Sequence, residues 1–154
     1  MKNSPRFKEY SAATTTEIAA PESDYLYVQK SRLPGAGNGL FSAIPIYRHE
    51  VISIFRGRIL SPEAAAAAVA NGEDGYFINL PDDTILDSRQ VHCFAKYAND
   101  AAGFVKTACK NNARITLAEN GAVCIAASRN IAAGEEILCG YGKKYWQNHA
   151  ARTS

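Results

Sequence analysis

A mostly β, α+β domain is what this sequence predicts, and three observations predict it. Short runs of β-branched and aromatic residues recur along the chain, glycine-rich turns separate them, and one segment alone carries a full set of helix signals. At 154 residues the chain is long enough to bury a core as one domain without disulfides or metals.

In chain order, Met1 to Ser23 is rich in Ser, Thr and Ala, holds Pro5 and Pro21, and has no sustained period. It reads as a flexible arm (1–23), followed by the domain proper (24–148) and a short tail (149–154). Tyr25-Leu26-Tyr27-Val28-Gln29-Lys30 is the first expected strand. Gly35-Ala36-Gly37-Asn38-Gly39 follows Pro34, and its alternate glycines permit positive φ and close approach to bare backbone. Its spacing is not that of a dinucleotide-binding fingerprint, and the glycines by themselves leave a plain turn and a ligand loop both open.

Val51-Ile52-Ser53-Ile54-Phe55 and Ile59-Leu60 read as a hairpin about Gly57. Ser61-Pro62-Glu63 then opens an alanine-rich helix, with Ser61 as N-cap, Pro62 at the first helical position and Gly72 past the end. Tyr76 to Leu80 and Thr84 to Asp87 predict a hairpin around Pro81-Asp82-Asp83. Cys93 to Ala98 reads as a helical turn or two, with Tyr97 and Phe77 assigned to the core. Arg114 to Ala118 and Ala122 to Ala127 flank Asn120-Gly121, a strong hairpin signal. Ile131 to Ile137 is a turn into a last short strand. Glu135 and Glu136 point to opposite faces of that strand and read as a solvated turn with one structural hydrogen bond.

Composition excludes several classes. Hydrophobic residues make up 47% and charged residues 21% of the chain, within the globular range. The formal charge of +2 has no Lys/Arg run to concentrate it, which argues against direct binding to nucleic acid. Cys93, Cys109, Cys124 and Cys139 stand about fifteen residues apart with no C-x-x-C pair, a pattern of free thiols in a reducing compartment. His49, His92 and His149 are scattered, so no metal site is expected. No apolar stretch reaches the roughly 18 residues of a membrane span, and a soluble intracellular protein is expected.

With these residues laid out, the chain resembles the SET-domain family of protein lysine methyltransferases over roughly Tyr27 to Trp146. The family's G-x-G-x-G-Φ-F loop is matched by Gly35 to Phe41. Its I-P-x-G-x-x-I is matched by Ile44 to Ile52, with Arg48 and His49 around the usual glycine. Its R-F-x-N-H-S is met loosely by Lys96-Tyr97-Ala98-Asn99-Asp100-Ala101, and its I-x-x-G-E-E-L-x-x-D-Y by Ile131 to Tyr141 with Gly140 for the Asp. The four matches stand in family order.

The resemblance implies a β-clip fold of several small sheets with a C-terminal pseudoknot, S-adenosylmethionine (product S-adenosylhomocysteine) bound on one face, and a protein or peptide lysine entering from the other. Histone lysines are among the substrates it leaves open, with a nuclear or host-directed location in that case. It implies that Asn99 and the backbone of Tyr97 and Asp100 hold the cofactor. The loop Gly35, Ala36, Gly37, Asn38 and Gly39 would lie against the methionine part, and Trp146 would stack on the adenine. Tyr141 becomes the leading catalytic residue and also borders the cofactor, Tyr76 is the second, and Tyr76, Cys139 and Tyr141 line the lysine channel. Asp100 stands for the family's His, the segment Ala101 to Lys110 is longer than usual, and Trp146 to Ser154 holds no cysteine cluster, so the zinc-bearing tail of many relatives is not expected here. The replaced His and Cys139 also admit a catalytically weak module that binds a peptide or partner. Oligomeric state is left open.

Overall fold

Among the residues the computed structural model describes, 14–80, 82–103 and 109–140, eleven strands of two to five residues form three small sheets. The largest runs β1 (Thr16–Glu17), β4 (Glu50–Ile54), β9 (Val123–Ala127), β8 (Ala113–Leu117), β11 (Cys139–Gly140). The second runs β10 (Glu136–Ile137), β3 (Asn38–Ser42), β2 (Leu26–Lys30), and the third β5 (Arg58–Leu60), β7 (Ile85–Asp87), β6 (Phe77–Asn79). The mostly β architecture of several small sheets is therefore the one observed.

β9 is apolar at every position and buried at every position, as a strand covered on both faces must be. It pairs antiparallel with β8 through the expected Asn120-Gly121 turn, where Gly121 takes φ +86° and Leu117 lies opposite Val123. The core that fills the space between sheets includes Leu40, Ile46, Ile52, Ile125, Ile131 and Ile137. Ile78 and Leu86 carry the third sheet into the same core, whereas Phe77, expected there, is half-buried on the opposite face of β6. Tyr97 is half-buried against the core.

The helix signals act as expected. In α2 (Pro62–Ala70; the four-residue α1 is Glu22–Tyr25) the Ser61 Oγ accepts from Ala64 N at 3.1 Å. Gly72, at φ +71°, closes its end, with Gly72 N donating to Val69 O and Glu73 N to Ala68 O. A 3-10 turn, Ala95–Tyr97, occupies the segment read as one or two helical turns.

The hairpin about Gly57 does not form. β4 pairs with β9 and β1, while β5 pairs with β7 in another sheet. Gly57 is the crossing point: a Cβ there would run into the Asp87 carbonyl, with Ser88 N 3.0 Å away, so glycine serves close backbone passage rather than a tight turn. At the other end of the chain, Thr16–Glu17 pairs with Glu50–Val51. The Glu22 carboxylate accepts from Ser53 Oγ at 2.7 Å and Ile54 N at 3.0 Å. The described residues thus join the largest sheet from Thr16, ahead of the start read from the sequence; residues 1–13 and the tail lie outside them. None of the described helices is long and apolar enough to cross a membrane.

Candidate functional site

Three stretches far apart in sequence meet at one end of the second sheet: the glycine loop before β3, the Asn99-Asp100 pair, and residues 136–140. The loop is shaped from within. Ser31 N donates to Gly37 O at 2.7 Å, Leu33 N to Ser31 Oγ at 3.0 Å and Ala36 N to Leu33 O at 3.2 Å. Gly35 and Gly37 take φ +74° and +76°, with open space where a Cβ would be. Their requirement is conformational, and it leaves bare backbone facing outward. Gly39 is present for a different reason, because a Cβ there would collide with the Glu136 carboxylate and lie 3.2 Å from the Ser31 Cα.

Glu136 is therefore not part of a solvated turn. It is 4% exposed, and its carboxylate accepts from Ser31 Oγ at 2.6 Å and Arg32 N at 2.8 Å. Burial of a carboxylate is tolerable only with such partners, and here they tie β10 to the entrance of the glycine loop. Glu135 lies half-buried, accepting from Arg129 Nη2 at 2.6 Å and Ala132 N at 2.9 Å.

Asn99 joins the other two stretches. Its Nδ2 donates to Asn38 O at 2.9 Å, Cys139 N donates to its carbonyl at 2.8 Å, and it forms a parallel bridge with Leu138. Asp100, next to it, is buried and turns its Oδ1 toward Ala102 N (3.0 Å) and Asn111 Nδ2 (2.9 Å), while Ala101 N donates to Asn111 Oδ1. The Asp that stands for the family's His thus clamps the base of the 101–110 segment.

The residue missed from sequence is Asn112. It is 1% exposed; its Nδ2 donates to Glu136 O at 2.8 Å, its Oδ1 accepts from Leu138 N at 2.8 Å, and its own N donates to Leu138 O at 2.8 Å. One amide side chain thereby substitutes for a strand partner along 136–138. The available signal was the polar Asn111-Asn112 doublet set directly before an apolar strand.

Cys139 is fully buried beneath this junction, and burial, with the negative charge of Asp100 beside it, pushes its thiol pKa far up, so it remains a protonated thiol. Tyr76 is 42% exposed at the head of β6, with its carbonyl accepting from Ser88 N at 3.2 Å. It is not in the cluster around Asn99; Lys96, whose ammonium lies 5.6 Å from its ring centroid and 5.4 Å from that of Tyr97, connects the two. Tyr141 and Trp146 lie outside the described residues, Tyr141 directly following β11.

The chemistry left open at this junction is that of an acceptor for an ammonium group, such as the amino end of S-adenosylmethionine carries. With Nδ2 committed to Asn38, the Asn99 Oδ1 has no donor among the described residues and is an acceptor suited to an ammonium group. The backbone at Gly35 and Gly37 is open where a Cβ would stand, in the loop that leads to Asn38. A family model described as SET domain matches residues 37–142. Comparison with curated proteins gives no match.

Proposed function

This chain belongs to the SET-domain family, whose members are generally protein-lysine methyltransferases that use S-adenosylmethionine, and we propose that it transfers a methyl group from that donor to a lysine side chain of a protein or peptide. The observation that carries the reading is the meeting of Asn38, Asn99 and Cys139 through the Asn99 amide and carbonyl. Asn99 Oδ1 holds the amino group of the donor, the Gly35–Gly39 backbone lies along its methionine part, and Trp146 stacks on its adenine. Tyr97 and Asp100 serve through their backbone.

S-adenosylmethionine supplies an electrophilic methyl group on a positively charged sulfur. The chain's own task is to align the lysine nitrogen with it, exclude water, and receive the amine neutral. An unperturbed lysine has a pKa of ~10.4, so neutralising it at pH 7 costs roughly 4.6 kcal/mol. A narrow wall built by Tyr76, Tyr141 and Cys139 reduces that cost, because desolvation disfavours the ammonium form. The Tyr141 hydroxyl orients the reacting nitrogen.

Two measurements on the full chain test the proposal. Calorimetry with S-adenosylhomocysteine should give saturable heat at one site. Incubation with radiolabelled S-adenosylmethionine and a panel of histones, cell lysate and the protein itself should label protein. A folded chain that binds no cofactor removes the proposal, and cofactor binding without labelling of any protein favours a peptide-binding module instead.

A further inference from the structure

Lys96 is held in a way that a surface lysine is not. Its Nζ donates to three carbonyls of one loop, Ser88 O at 3.1 Å, Arg89 O at 3.4 Å and Val91 O at 3.0 Å. Those bonds use all three ammonium protons and fix a side chain that otherwise has many rotamers. So anchored, the ammonium faces the rings of both Tyr76 and Tyr97, within the distance at which a ring quadrupole attracts a cation. The same loop grips Tyr76 from behind: Ser88 N donates to Tyr76 O, and Ser88 Oγ is bonded to Arg56 O at 2.6 Å. Lys96 also stands three residues before Asn99, in the middle of the 3-10 turn Ala95–Tyr97 that precedes the Asn99–Asn38 bond.

We infer that Lys96 is the positioning residue of Tyr76, a fixed cation that holds the exposed channel tyrosine of the third sheet in register with the Asn99 segment of the cofactor side. The inference rests on the reading of Tyr76 as a wall of the lysine channel. Tyr76 is 42% exposed directly before a three-residue strand, so backbone pairing alone leaves its ring unsupported on the side where Lys96 lies. Asn99 keeps its own bonds to Asn38 and Cys139, so loss of the Lys96 side chain is felt on the Tyr76 side.

The experiment compares wild type with Lys96→Met and Lys96→Arg. In Lys96→Met the affinity for S-adenosylhomocysteine should stay within about twofold, while KM for the lysine substrate should rise about fivefold, the factor supported by one lost, partly desolvated cation–π contact. Lys96→Arg should recover most of that loss, since a guanidinium also donates to carbonyls and lies on aromatic faces. Carbon–proton spectra of ring-labelled tyrosine, with the Tyr76 signal assigned through Tyr76→Phe, should show that signal displaced in Lys96→Met and returned in Lys96→Arg. An unmoved Tyr76 signal, or a KM equal to wild type in Lys96→Met, overturns the inference. So does an equal loss of cofactor affinity and fold in both variants, which would mark Lys96 as purely structural. If wild type labels no protein, the methyltransferase reading fails by itself, and the Tyr76 signal alone then decides whether Lys96 positions that ring.

Discussion

At the scale of single residues, polar side chains in this fold take the place of backbone partners, and their removal should be costly. Asn112→Ala strands Leu138 N–H and the Glu136 carbonyl in a buried site, and thermal or urea unfolding should show a loss of roughly 3 kcal/mol. Asn99 is less buried, and among the described residues its side chain donates to Asn38 O alone. Asn99→Ala should therefore leave folding nearly intact while weakening S-adenosylhomocysteine by ~1.5 to 3 kcal/mol in calorimetry, the range for a hydrogen bond to a charged group. By the resemblance to the family, Cys139 falls two residues before Tyr141, at a position that usually carries Phe or Tyr. A buried protonated thiol is smaller than either ring and a poor hydrogen-bond donor, so wild-type product taken to completion should carry two or three methyl groups by mass spectrometry. A product limited to one methyl would mean that another side chain occupies that space.

At the scale of elements, local rules govern α2 and long-range pairing governs the strands. Ser61→Ala should cost about 1 kcal/mol in an unfolding experiment, the ordinary value of an N-cap, since its Oγ bonds Ala64 N and only Ala65 of the helix is buried. That helix was fully legible because cap, first-turn proline and terminal glycine are signals within a dozen residues of one another. The Asn120-Gly121 hairpin was legible for the same reason. The supposed hairpin about Gly57 was not: a glycine between two β-rich runs has the same local signature whether it turns the chain back or lets one sheet pass close to another. The separation of β4 from β5 is set by where Asp87 and Ser88 lie.

At the scale of the whole molecule, acid stability should register the ion pair that braces the turn before β10. Burial works to raise the Glu135 pKa, but the hydrogen bond from Arg129, with those from Ala132 N and Asn112, outweighs it and holds the carboxyl below its usual range. A lowered folded-state pKa means stability that is present above the unfolded carboxylate pKa of ~4.3 and is lost as pH falls through the lower folded value. Both side chains are partly exposed, so Arg129→Ala should cost only ~0.5 kcal/mol at pH 7, and that difference should shrink as pH falls below the ordinary carboxylate range when melting curves are compared.

What the sequence by itself determined is what depends on neighbours along the chain: the glycine loop, the capped helix, the turns, and the family order of motifs from Gly35 to Tyr141. The first three rest on φ preference, capping or period, which a short segment carries alone, and the motif order rests on the resemblance to the family. Only the tertiary structure decided that Glu136 is buried, since its partner Ser31 lies 105 residues away and a Glu after a glycine turn looks solvated until that partner is in place. The same holds for Asn112 as the support of 136–138 and for Lys96 over Tyr76. A side chain's partners are chosen by which strands pair and how much water the packing removes, and neither quantity is written in any stretch of sequence short enough to read locally.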